Sequence, residues 1–323
     1  MKFVELKNSL KTNIENVYVL YGQDRFLQDK SLNLLKQFAV DNFLDMNFSV
    51  YNDENLNVQK MIEEAQTLPF MSKYRFILMR DCFSKLSESD KKMIQNYVAS
   101  PVKTTVFVLC ADERNEFLKR VESKSMGVDC NFLDMKTLQG IVPAMCKAQG
   151  KQITMNALNN LIEYCTFDLA RIENEIEKLA CYCDGDVITP EDVEVNVAKM
   201  LDYETYKLAN AICHRDSGTA MKIFQYVLQQ KGSTQYVIGA LGNFMRRYFY
   251  LQATRQDPNL CMSTFKIGEY PYKMMIMESG VLKKSELMNS LNAILQADYD
   301  IKSGRQTDEN ALYSLIMYLT TKL

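Results

Sequence analysis

Histidine is the scarcest chemically useful residue here: the chain has a single one, His214. Ser-His-Asp and Cys-His nucleophile systems would all have to depend on it, yet it lies in Cys213-His214-Arg215-Asp216 near an expected helix end, where a solvated or capping role suffices. No apolar run approaches the ~20 residues needed to cross a bilayer. The stretch from Met1 to Leu10 is too polar for a secretory leader. Neither sign of charge dominates, and a net charge of −2 argues against a broad surface for polyanions. What basic excess exists is C-terminal, where residues 199–323 hold 15 Lys and Arg against 11 Asp and Glu. The nine cysteines lack zinc-site spacing, since Cys181-x-Cys183 has no second pair, and they read as buried free thiols in a reducing cytosol. These absences predict a soluble cytoplasmic chain without metal or cofactor.

A hydrophobic content of 47% over 323 residues supports two or three domains with proper cores. The stretch from Val17 to Leu35 organises the first of them: a buried strand (17–21), a turn at Gly22, and a helix opening near Asp24. That is the layout of a phosphate-binding loop, in which backbone N–H groups at a helix N-terminus cradle phosphates. The pattern G-x-x-x-x-G-K-[ST] needs glycine at 27 and lysine at 28, and the chain has Leu27 and Gln28 there, with Lys30 and Ser31 too far along the helix. Further strands are predicted over 47–51, 75–79, 104–110 and near 128–132, alternating with helices over 58–65, 87–100 and 115–124. Strands that are apolar throughout indicate a parallel sheet covered on both faces. Asp81 and Asp112-Glu113 follow such strands and imitate a metal-binding acidic pair, but without a lysine-bearing loop they read as polar residues where strands leave the core.

Beyond residue 135 the period becomes helical. Leu158, Leu161, Ile162 and Cys165 make one stripe, and Ile172, Ile176, Leu179 and Ala180 another. Thr189-Pro190-Glu191-Asp192 has the form of a capping box with proline in the first turn, closing a small module expected to be all-helical. Four more stripes follow: Ala220 to Leu228, Val237 to Tyr248, Leu287 with Leu291, Ile294 and Leu295, and Leu312 to Leu319. Breaks are expected at Gly232-Ser233 and over Arg255 to Pro271, and a glycine cap at Gly304. Arg246-Arg247 beside Tyr248 and Tyr250 is a basic-aromatic cluster that reads either as a helix with solvated arginines or as a nucleic-acid contact. One segment fits no period, Thr67-Leu68-Pro69-Phe70-Met71-Ser72-Lys73-Tyr74-Arg75. Pro69 ends the preceding helix and leaves three apolar side chains on a turn. Exposed aromatics on such turns are typical binding anchors, although the buried strand that follows keeps a core-plugging role for Phe70 open.

Four segments, in order along the chain, carry a resemblance: Tyr18 to Leu27, Thr67 to Phe70, Asp168 to Leu179, and Ala297 to Gly304. Together they resemble the delta subunit of the bacterial DNA polymerase III clamp loader. The resemblance implies an α/β plus all-α chain: an AAA+-like parallel-sheet domain without a working phosphate loop (1–135), a helical lid (136–200), and a C-terminal helical collar (201–323). It implies a subunit that binds the ring-shaped sliding clamp and helps open it for loading onto primed DNA, hydrolysing no nucleotide itself and enzymatic only by membership of the polymerase holoenzyme. Its partners would be the clamp, the ATP-hydrolysing and delta-prime loader subunits through the collar, and primer-template DNA indirectly or weakly, for which Arg246 and Arg247 are the candidate contacts read from the residues. The clamp-binding element would be Leu68-Pro69-Phe70-Met71, with Phe70 as first anchor and either Leu68 or Met71 as the second. Two alternatives stand beside it: an NTPase using Lys30, Asp81 and Asp112 around an unorthodox loop, and a helical DNA-binding protein.

Overall fold

A computed structural model of the chain describes residues 1–199, 201–229, 234–254, 257–265, 272, 275–276 and 281–321. The chain divides into two compact units, Met1–Phe132 and Leu133–Leu323.

The first unit runs α1 (Phe3–Thr12), β1 (Val17–Tyr21), α2 (Arg25–Ala39), α3 (Leu44–Asn47), β2 (Phe48–Tyr51), α4 (Val58–Ala65), β3 (Arg75–Arg80), α5 (Glu88–Ala99), β4 (Thr105–Ala111), α6 (Glu116–Glu122) and β5 (Met126–Asp129). All five strands pair in parallel, in the order β2-β3-β4-β1-β5. The apolar character of the central strands has a direct cause, because both sheet faces are covered. On one face Val17, Val19, Ile77, Met79, Phe107 and Leu109 meet Met61, Ala65, Ile94, Val98, Leu118 and Val121 of α4, α5 and α6. The alternate residues Tyr18, Leu20, Phe76, Leu78, Val106 and Val108 face the other way. There α1 and α2 bury Leu6, Leu10, Leu27, Leu32 and Leu35. Helix starts follow the side chains that cap them: Asp24 accepts from the N–H groups of Phe26 and Leu27, Asn57 from Lys60, and Ser87 and Asp90 form a capping box.

The polar N-terminus, to which the sequence reading assigned no element, is a helix, α1, whose charged face hid the spacing of Leu6 and Leu10 that packs it inward. One expectation needs correction in this unit. The last strand lies over Met126–Asp129 rather than 128–132, because it is positioned by pairing with β1, Tyr18 opposite Met126 through Tyr21 opposite Asp129.

The second unit contains α7 (Met135–Ala148), β6 (Gln152–Ile153), α8 (Met155–Tyr164), α9 (Leu169–Tyr182), β7 (Val187–Ile188), α10 (Pro190–Asn196), α11 (Leu201–Cys213), α12 (Ser217–Gln229), α13 (Thr234–Ala253), α14 (Pro258–Phe265), α15 (Lys284–Lys302) and α16 (Asp308–Thr321). The module expected to be all-helical holds a short parallel ladder, β6 with β7, since two-residue strands carry no readable period. Thr189 and Asp192 do form the expected capping box at α10. One bundle core gathers Phe224, Val227, Val237, Leu241, Tyr248, Leu287, Ile294, Leu312 and Leu319. Leu295, read as part of that core, instead points to solvent at 67% exposure, one position beyond the stripe formed by Leu287, Ile294 and Ala297. Gly304 has φ +71° just after the end of α15, as its glycine cap requires. The predicted break at Gly232-Ser233 lies outside the described residues, whereas the described part of the stretch from Arg255 to Pro271, expected to be a break, holds the short helix α14.

Candidate protein-docking site

At the phosphate-loop position, side chains of the chain itself fill the space. Gly22 has φ +143°, and a Cβ there would lie 2.2 Å from the carbonyl carbon of Cys130, so only glycine permits β1 to turn into α2 against that backbone. Gln28 is fully buried where the loop's lysine would stand. Its Nε2 donates to the carbonyl oxygens of Gly22 at 2.7 Å and Ala111 at 3.3 Å. Leu27, in place of the second glycine, is equally buried in the core. Asp81 and Asp112 do come together, but around Arg25, whose Nη2 lies 3.1 Å from each. Lys30 lies over the Phe26 ring instead, 4.9 Å from its centroid. The neighbouring open cleft of about 440 Å³ is lined by Arg25, Asp29, Asn52, Asp53, Glu54, Arg80 and Asp81, with more carboxylates than cations. Such a lining disfavours a polyphosphate.

The turn between α4 and β3 is built differently. Leu68 and Met71 are 72% and 70% exposed, and Phe70 is 46% exposed, so Phe70 does not plug the core of the sheet. Its ring meets Phe43 edge-to-face, with centroids 5.4 Å apart. Phe43 belongs to the connection between α2 and β2, which also exposes Leu44 and Met46. The result is one apolar patch drawn from two loops.

Polar side chains hold the two loops together. Asn47 is fully buried. Its Nδ2 donates to the carbonyl oxygens of Asn42, Phe43 and Phe70, at 3.0, 3.1 and 2.8 Å. Its Oδ1 accepts from the Phe70 N–H at 2.7 Å. From the other side the buried Arg75 guanidinium donates to the carbonyl oxygens of Thr67, Leu68 and Met46. Asp41 accepts from the Ser72 hydroxyl at 2.7 Å and the Lys73 N–H at 3.2 Å. These donors, Ser72 first, hold the Asp41 carboxyl below the usual carboxylate range. Phe43 and Met71 both sit at positive φ, +49° and +48°. That conformation is costly for non-glycine residues and persists only where surrounding contacts dictate it.

The sequence pointed to Leu68, Phe70 and Met71 but missed Phe43, Leu44, Met46 and the clip Asn47. The available signal was Asp41-Asn42-Phe43-Leu44-Asp45-Met46-Asn47, in which apolar residues interrupt a polar segment without a period. In the second unit Arg246 is exposed and bonded to Asn243, while Arg247 lies over the Phe265 ring at 5.7 Å. Tyr248 is a core residue, so the basic-aromatic cluster is not one surface.

A parallel sheet in the order β2-β3-β4-β1-β5, with helices on both faces and a second unit made mostly of helices, defines an AAA+-like protein. A family model described as DNA polymerase III, delta subunit, matches residues 18–131, and one described as the C-terminal domain of that subunit matches residues 202–319. A third model, described as a middle domain, matches residues 135–195. The DNA polymerase III subunit delta of Bacillus subtilis (strain 168) is 26% identical over 336 residues, covering 98% of this chain and 96% of that one. The solved structure of the Bacillus subtilis DNA clamp loader delta protein aligns with a TM-score of 0.76 at 24% identity, covering 99% of this chain and 100% of that one. The chain belongs to the DNA polymerase III delta-subunit family.

Proposed function

We propose that the chain is the clamp-binding subunit of a clamp loader, gripping the ring-shaped sliding clamp through Leu68, Pro69, Phe70 and Met71 and helping to open it for loading onto primed DNA. The observation that carries this reading is the half-exposed Phe70 ring, set in an apolar patch on a turn braced by buried Asn47 and Arg75. Ring opening draws on differential binding: contacts that fit only a distorted clamp shift its population toward the open state. The chain hydrolyses no nucleotide in this reading, consistent with Gln28 and Arg25 filling the phosphate-loop position. Residues 1–135 form the clamp-binding domain, 136–200 a lid, and 201–323 a collar that joins the ATP-hydrolysing and delta-prime subunits. Primer-template DNA is touched weakly at most, through Arg246 and Arg247.

The test is Phe70→Ala in the full chain. Fully burying a phenylalanine contributes about 1.5–3 kcal/mol, so completing the burial of a half-exposed ring is worth roughly 1–2 kcal/mol, or about 5- to 30-fold in affinity. Calorimetric titration against the clamp of the same organism should show that loss with an unchanged circular dichroism spectrum. Undiminished affinity overturns the reading.

A further inference from the structure

The contact between Phe43 and Phe70 extends the docking surface beyond the turn after α4. We infer that Phe43, with Leu44 and Met46 beside it, forms a second half of the clamp-docking surface, so that the clamp receives an aromatic pair from two loops rather than a single anchor. This inference rests on the clamp-binding reading of Phe70. Three observations carry it. The rings of Phe43 and Phe70 touch edge-to-face while 51% and 46% exposed, so a partner that buries the free face of Phe70 also covers Phe43. The buried Asn47 bonds to backbone of both loops, at Asn42, Phe43 and Phe70, which joins the two aromatics into one rigid unit. Finally, Phe43, Leu44, Met46, Leu68 and Met71 are all exposed large apolar side chains, and apolar exposure concentrated in this way marks an interaction surface. The same geometry bears on the second anchor. Leu68 and Met71 flank Phe70 in sequence, and Phe43 meets its ring across the two loops.

The experiment titrates the full chain and its variants against the clamp. Phe43→Ala removes the aromatic partner, and Leu44→Glu sets a charge beside an intact pair. Each is expected to weaken binding about tenfold through lost aromatic contact or a desolvated charge. The double variant Phe43→Ala/Phe70→Ala is expected to lose less than the product of the single losses, because residues in contact are not additive. If Phe70→Ala weakens binding while Phe43→Ala and Leu44→Glu both keep full affinity, the two-loop surface is wrong and the single anchor stands. If Phe70→Ala itself has no effect, the underlying reading fails instead. Should Phe43→Ala lose its folded circular dichroism signal, Leu44→Glu decides alone. Sedimentation without the clamp gives the other outcome: a chain that self-associates, and ceases to when Phe43 is replaced, uses this patch for a second copy of itself and overturns the assignment to the clamp.

Discussion

Asn47→Ala isolates preorganisation from contact, because Asn47 is fully buried and offers nothing to a partner directly. Its amide can be oriented in only one way that satisfies its surroundings: three carbonyl oxygens face the nitrogen and the Phe70 N–H faces the oxygen. Two of the four bonds, at 2.7 and 2.8 Å, run between the loops, both to Phe70. A typical hydrogen bond contributes about 0.5–1.5 kcal/mol net, and water reaches these surface loops once they part, so the cross-loop pair is worth about 1–3 kcal/mol. Alanine at this position frees Phe70 to sample other conformations. The apparent dissociation constant then rises by the inverse of the fraction still competent, up to roughly 5- to 150-fold for that energy. Asn47→Asp separates the mechanism from simple loss of packing. Aspartate keeps the acceptor for the Phe70 N–H but turns a carboxylate oxygen toward three carbonyls, so it should be worse than alanine despite its matching shape. Urea denaturation followed by calorimetric titration against the clamp checks both effects. An Asn47→Ala chain with an unchanged unfolding midpoint and unchanged clamp affinity refutes the idea that the patch is held in place, and so does an Asp variant that behaves like the wild type.

Two further outcomes follow from the closed loop and from the thiols. ATP should bind more weakly than about 1 mM, and Gln28→Lys should not rescue it, because Leu27 still fills the second glycine's place and Arg25 still occupies both acids; saturable micromolar binding in a fluorescent-nucleotide titration would contradict this. Burial pushes the thiols of Cys110, Cys130 and Cys165 up to about 12 and those of Cys82 and Cys146 up to about 11, whereas Cys181 is exposed. A thiolate-directed reagent at neutral pH should therefore label the native chain rapidly at Cys181 alone. Rapid labelling that persists in Cys181→Ser would show that the core opens readily.

The sheet was legible because its central strands are buried on both faces and so appear as unbroken apolar runs, such as Thr105 to Ala111. The bundle was legible where a full stripe faces one core, as with Leu312, Leu315, Ile316 and Leu319. Legibility failed where periodicity has too little length to act. The two-residue ladder of Gln152 with Val187 rests on backbone bonds such as Gln152 N–H to Asp186 O, which any residue type can make. Leu295 shows a different limit, since a leucine at the edge of a stripe falls inside or outside according to how the neighbouring helices close over it. Within the candidate site, Phe70 stood out because Pro69 removes it from any helix or strand pattern. Phe43 could not stand out in the same way. Its importance lies in a contact with a residue far along the chain, created by the parallel alignment of β2 with β3 that brings the segments preceding both strands to the same end of the sheet.

Helix α2 links the closed phosphate loop to the candidate docking patch. In a nucleotide-binding site of this layout, the phosphates are what the helix N-terminus holds, and occupancy can alter how the helix sits. Here α2 is held at its N-terminal half by the chain's own side-chain contacts: Arg25 to Asp81 and Asp112, Gln28 to Gly22 and Ala111, and Asp29 to Arg80. They tie it to the ends of β1, β3 and β4 without any ligand. Its other end runs through Val40 into Asp41 and Phe43, the first residues of the patch. The contacts at the first turns of α2 thus set the direction in which its far end delivers Phe43. Asn47 and Arg75 extend the same rigidity across to Phe70.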